Sequence, residues 1–122
     1  MPEVIYFDIR ANDPEKAARF YKDVFDWKIK KTGNPKYPWR IDTGDEKEPG
    51  ISGGIAKRTE PTDSTALIFD VSSVHEFAGK VKASGGEIIK PKHAIPGVGY
   101  LVMCKDSEGN RFGIMQLDES AA

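Results

Sequence analysis

Residues 4–21 read Val4-Ile5-Tyr6-Phe7-Asp8-Ile9-Arg10-Ala11-Asn12-Asp13-Pro14-Glu15-Lys16-Ala17-Ala18-Arg19-Phe20-Tyr21 and place a strand directly before a helix. From Val4 to Arg10 the side chains alternate. Ile5, Phe7 and Ile9 fall on one side and Tyr6, Asp8 and Arg10 on the other, the period of two expected of a strand with one apolar and one polar face. Asp13 is a good N-cap, Pro14 has its φ preset for a first helical turn, and Glu15 lies near the positive end of the helix dipole. Ala17, Phe20, Tyr21, Val24 and Phe25 then recur at helical spacing as one apolar stripe opposite Lys16, Arg19 and Asp23, so a helix is predicted to end near Asp26. Beyond it, Trp27 and Ile29 alternate with lysines in a short strand, with Trp27 expected in the core, and Gly33-Asn34-Pro35 supplies turn residues. Residues 37–43 read as the partner strand, with Pro38 tolerable on an edge; residues 44–50 form a polar loop, and 51–58 a further strand. The first half is therefore βαβββ.

The order then repeats. Residues 59–64, with Pro61 among polar neighbours, read as a connector, and 66–71 as a strand. Ser73-Val74-His75-Glu76 has the form of a capping box, in which hydroxyl and carboxylate each take an otherwise unpaired backbone N–H; Phe77, Ala78 and Val81 continue the apolar stripe. Gly85-Gly86 ends this second helix. Residues 87–90 and 98–104 are predicted strands, and Asp106-Ser107-Glu108-Gly109-Asn110 turns the chain into a last strand over 111–117. The fold class is α+β: two βαβββ modules, about 1–58 and 65–118, whose curved mixed sheets are covered by a helix on one face and enclose a cavity with the other.

Composition narrows the function. A chain of 122 residues fits one domain, and 39% hydrophobic content suffices for one core. Eighteen Lys and Arg against nineteen Asp and Glu leave a net charge of -1, without the basic excess that phosphate-backbone binding needs, so nucleic acid is not an expected partner. Apolar runs of a few residues are far too short for a membrane span, and Met1-Pro2-Glu3 lacks a signal-peptide pattern, so a cytoplasmic protein is expected. One cysteine, Cys104, and two histidines, His75 and His93, cannot assemble the usual Cys/His zinc spacings, and a metal site would need carboxylates.

With the twofold βαβββ order, Asp13-Pro14-Glu15-Lys16-Ala17-Ala18-Arg19-Phe20-Tyr21, Phe25-Asp26-Trp27, a Gly-Gly pair and the stretch from Asp106-Ser107-Glu108-Gly109-Asn110 through Gln116, the chain resembles the vicinal oxygen chelate superfamily, which includes glyoxalase I, extradiol dioxygenases and bleomycin-resistance proteins. The resemblance covers nearly the whole chain. In metal-dependent members, four strands each supply one inward ligand, usually His, Glu or Gln. The matching positions here are Tyr6, Gly54, Ala66 and Gly113, a set that offers a divalent ion none of those ligands, so no resident metal or other cofactor is expected.

The polar face of the first strand, Tyr6, Asp8 and Arg10, is the foremost candidate site. Arg10 resembles in position an arginine that binds the glutathione carboxylate in glyoxalase I, and a guanidinium fork suits a carboxylate or phosphate. An Asp8–Arg10 ion pair that merely satisfies the sheet face is the competing reading. Trp39, Tyr100 and Met115 are candidate lining residues for a planar ligand, with ordinary packing as the alternative, and Gly54 and Gly113 are expected to leave space for it. His75 is read as an exposed helix residue, His93 as a loop residue and Cys104 as a small buried hydrophobe.

Two functions follow. The resemblance implies a small-molecule binding protein of the bleomycin-resistance kind, metal-free and homodimeric. It also admits a glyoxalase- or dioxygenase-related enzyme with lyase, isomerase or oxygenase chemistry, using a displaced metal site or acid–base catalysis by Tyr6 and Asp8.

Overall fold

The computed structural model describes residues 1–44 and 50–122; most of the polar loop predicted over 44–50 lies outside the described residues. The elements in chain order are β1 (Val4–Ala11), α1 (Pro14–Phe25), β2 (Lys28–Lys31), β3 (Trp39–Asp42), β4 (Ser52–Lys57), β5 (Ala66–Asp70), α2 (Val74–Ala83), β6 (Glu87–Ile95), β7 (Gly99–Lys105) and β8 (Arg111–Leu117). This is the expected α+β order of βαβββ followed by βαβββ. The chain divides into two compact units, Tyr6–Thr65 and Met1–Ile5 with Ala66–Ala122. Among the described residues no helix is long and apolar enough to cross a membrane.

In the unit Tyr6–Thr65 the strands lie in the order β2-β3-β4-β1, with β1 parallel to β4 and the other pairs antiparallel. Phe7 and Ile9 of β1 stand opposite Gly53 and Ile55 of β4, so one face of the sheet carries the apolar set that the alternation in 4–10 requires. Ala18, Ile41 and Ile55 are buried there, with Phe7, Ile9, Ala17, Tyr21, Trp27, Ile29 and Trp39 packed around them. Trp27 stacks on Tyr21 at 5.5 Å and on Phe25 at 5.0 Å between ring centroids. The helix begins as the sequence dictates: the Asp13 carboxylate accepts from the Lys16 N–H at 3.1 Å. It stops at Asp26, whose φ of 55° turns the chain left-handed.

The apolar stripe of α1 is wider than its contact with the sheet. Ala17, Ala18 and Tyr21 pack on the strands, whereas Phe20, Val24 and Phe25 are each more than half exposed. Each residue turns the helix by about 100°, which carries Phe20 and Val24 off the line of contact through the two small alanines.

The second unit orders its strands β5-β8-β7-β6, again with one parallel pair, β5 with β8. Val71, Val74, Val102, Cys104 and Ile114 are buried together, and Phe77, Ala78 and Val81 of α2 pack against them. The Ser73 hydroxyl accepts from the Glu76 N–H at 3.1 Å, while the Glu76 carboxylate pairs with Lys80 at 3.4 Å, so the predicted box is made on its hydroxyl side. Gly85, at φ 89°, follows the helix end. Cys104 is fully buried, and burial pushes its thiol up to about 11, which keeps it from acting as a thiolate.

β6 corrects the sequence reading. It runs to Ile95 rather than stopping at Lys90, and His93 sits in it rather than in a loop. Pro91 is tolerated because β6 lies at the end of the strand order and its register with β7 shifts between Lys90 and His93, where no regular ladder bond is needed.

Candidate functional site

The face of the Tyr6–Thr65 sheet opposite α1 holds the predicted polar cluster. Tyr6, Asp8 and Arg10 of β1 stand opposite Ser52, Gly54 and Ala56 of β4. Asp8 is only 6% exposed, and Arg10 Nε donates to its Oδ2 at 2.9 Å. The end of β1 is fixed from behind by Arg58, which donates to the Arg10 carbonyl at 3.2 Å, to Asn12 Oδ1 at 3.3 Å and to the Asp63 carbonyl at 3.1 Å.

Tyr6 is half-buried, and its hydroxyl lies over Gly54, where a side-chain Cβ would stand 2.2 Å from it. Among the described residues no hydrogen bond reaches this hydroxyl. Its pKa is pushed up to about 12, first by burial, then by the negative charge of Asp8 and to a smaller extent by Tyr37, with Arg40 and Arg10 pulling the other way. At neutral pH it is therefore a protonated phenol, a hydrogen-bond donor and a poor base.

An unfolded tyrosine ionises near 10, so the raised value contributes stability that is full below about pH 10 and lost as pH rises through about 12. Tyr6→Phe removes this dependence. Chemical denaturation at pH 9 and 11.5 should show the wild type losing about 1–2 kcal/mol more than the variant between the two, screening at a half-buried site included. Equal losses would contradict the assignment.

Sequence reasoning missed Arg40. It stands opposite Gly54 from the β3 side, its Nε 3.3 Å from Asp42 Oδ1, an oxygen that also accepts from the Ser52 hydroxyl at 3.3 Å. The signal was present in Trp39-Arg40-Ile41-Asp42: Ile41 is fully buried toward α1, which sends Trp39 to the same side and Arg40 and Asp42 to the polar face.

The same parity separates Trp39 from the cluster. Trp39 packs on the α1 side, with Lys31 Nζ 5.6 Å from its ring centroid. Tyr100 packs with Val102 and Cys104 on the α2 side of the other unit, with Lys92 Nζ 4.6 Å from its ring centroid. Met115 and Gly113 share the opposite face of that unit's sheet, where Met115 pairs with Leu101. Neither predicted glycine opens space: the Tyr6 hydroxyl takes the place above Gly54. A Cβ at Gly113 would lie 2.6 Å from Ile68 Cδ1 and 2.9 Å from Met103 Sδ. His75 is exposed on α2, and His93 Nδ1 lies 3.0 Å from the Pro91 carbonyl.

The positions that the resemblance matches to metal ligands, Tyr6, Gly54, Ala66 and Gly113, carry one protonated phenol and three residues without a donor side chain. Among the described residues there is no group of three or more His, Cys, Asp or Glu that could hold a metal ion. This donor set does not fit a divalent cation.

The model of the Glyoxalase/Bleomycin resistance protein/Dioxygenase superfamily matches residues 4–114. No curated protein matches the chain. Among solved structures, the chain is similar to a protein described as an NAD-dependent benzaldehyde dehydrogenase from Legionella pneumophila, at 22% identity and a TM-score of 0.64 over 93% of this chain and 98% of that one. A glyoxalase/bleomycin resistance protein/dioxygenase superfamily member from Vibrio splendidus is 14% identical at a TM-score of 0.64, over 95% and 99% of the two chains. Methylmalonyl-CoA epimerase from Streptomyces coelicolor is 11% identical at 0.63, over 93% and 96%. At such identities the likeness is one of fold.

Proposed function

The chain belongs to the Glyoxalase/Bleomycin resistance protein/Dioxygenase superfamily, and from that premise we propose that it is a small-molecule binding protein that works without a resident metal ion. Its ligand is held on the face formed by Tyr6, Asp8, Arg10 and Gly54. The observation that carries this reading is the Tyr6 hydroxyl, protonated and without a protein partner among the described residues, lying over a glycine at a position where metal-dependent relatives place a ligand. A half-buried donor left open in this way is worth a hydrogen bond to an incoming acceptor. We further propose that the protein is a cytoplasmic homodimer, for which the exposed Phe20, Val24 and Phe25 of α1 offer apolar surface.

The test is NMR titration of nitrogen-15-labelled protein with benzoate and benzamide, small planar acceptors. Amide shifts at Tyr6, Asp8, Arg40 and Gly54, weakened about fivefold or more in affinity by Tyr6→Phe, are expected. Shifts confined to other parts of the chain would overturn the reading.

A second reading, acid–base catalysis in a glyoxalase- or dioxygenase-related enzyme, draws on the placement of the Asp8 charge beside the Tyr6 phenol. It predicts that Asp8→Asn abolishes turnover of a substrate while binding persists; turnover unchanged by that substitution removes it.

A further inference from the structure

Arg40 and Asp8 flank Gly54 from its two neighbouring strands, and the Tyr6 hydroxyl covers that glycine. Arg40 commits little of its hydrogen-bonding capacity to the protein. Its Nε reaches Asp42 at 3.3 Å, its side chain is 57% exposed, and among the described residues neither terminal nitrogen has a hydrogen-bond partner. Arg58 shows the contrast, since all three of its nitrogens donate to the protein. Two kinds of open donor, a guanidinium end and a phenol O–H, therefore occupy neighbouring positions on one face, and the Arg40 charge acts on the Tyr6 hydroxyl. Among the described residues, Arg10 pairs with Asp8 and Arg40 with Asp42.

We propose that Arg40 and Tyr6 form a two-donor anchor for the carboxylate of a small organic acid. The inference rests on the small-molecule binding reading above and adds the chemical class of the ligand. A planar carboxylate matches the fork of a guanidinium and still has a lone pair for the phenol. A phosphate dianion suits the site less well, because its second negative charge would face the Asp8 and Asp42 carboxylates.

Affinities of benzoate, benzamide and phenyl phosphate, read from the amide shifts of Tyr6, Gly54 and Arg40 in the wild type and in Arg40→Gln, test this. Benzoate should bind about tenfold tighter than benzamide and tighter than phenyl phosphate, and Arg40→Gln should make benzoate and benzamide alike. Arg40 is exposed, and a preserved amide spectrum verifies that the variant folds. Equal wild-type affinities for benzoate and benzamide at these amides, a benzoate preference that survives Arg40→Gln, or tighter binding of phenyl phosphate each overturn the anchor while leaving the binding site in place. Absence of shifts at these amides with every probe overturns the binding reading itself.

Discussion

Arg10→Met is expected to destabilise the protein by about 3 kcal/mol, far more than a surface arginine would cost. The Asp8 carboxylate is 6% exposed and the Arg10 side chain 15%, with 2.9 Å between Nε and Oδ2, so methionine in place of arginine removes a charge-assisted hydrogen bond from a buried carboxylate. Asp8→Leu should be costly for the converse reason, as it leaves the guanidinium under the sheet face with its partner gone. The double variant, Asp8→Leu with Arg10→Met, should recover most of the loss, because an apolar pair of similar volume needs no compensating charge. Urea denaturation of the four proteins gives the coupling directly, and about 2 kcal/mol or more is expected. Strictly additive effects would mean that the pair is not a unit and that Asp8 is available for the acid–base reading.

Gly53→Ala should cost about 2–3 kcal/mol by overpacking. Its Cβ would lie 2.2, 2.4 and 2.4 Å from three atoms of the Phe7 ring. That ring cannot easily retreat, being stacked toward Tyr6 at 6.5 Å and set against Trp27 at 6.0 Å between centroids. The glycine is required by space rather than by backbone angle, since Gly53 is not among the glycines with positive φ. Phe7→Leu introduced with Gly53→Ala should therefore restore more than half of the loss, measured by thermal and urea unfolding. A Gly53→Ala protein as stable as the wild type would show that the Phe7 ring is free to move.

Most of the fold was legible where a local rule acts alone. Alternation in 4–10, the Asp13-Pro14 start, the Ser73 cap and the Asp106 turn each appear in the structure as chemistry requires, with Asp106 Oδ1 accepting from the N–H groups of Glu108 at 2.9 Å and Asn110 at 2.8 Å. The site was legible on β1 and obscure elsewhere. Tyr100 begins a run, Tyr100-Leu101-Val102-Met103-Cys104, apolar on both faces, so its phase is set only by pairing with β8, where it meets Gln116 rather than Met115. The aromatic character of Trp39 suggests a lining residue, whereas the burial of Ile41 two residues on puts Trp39 on the α1 side and Arg40 on the polar face. Pro91 reads in the sequence as a stop, whereas register shifts on an edge strand accommodate it and carry β6 on to Ile95. Composition likewise marked the α1 stripe as apolar without telling which arc of it the narrow sheet would cover.

Native mass spectrometry of untagged protein, prepared without chelator and offered nickel, zinc, manganese and iron(II) in turn, bears most directly on a binding face that works without a metal. The expected spectrum is metal-free protein in every case, with benzoate retained by the wild type and lost from Tyr6→Phe. A metal bound in stoichiometric amount would contradict this, because Tyr6, Gly54, Ala66 and Gly113 could not supply its ligands.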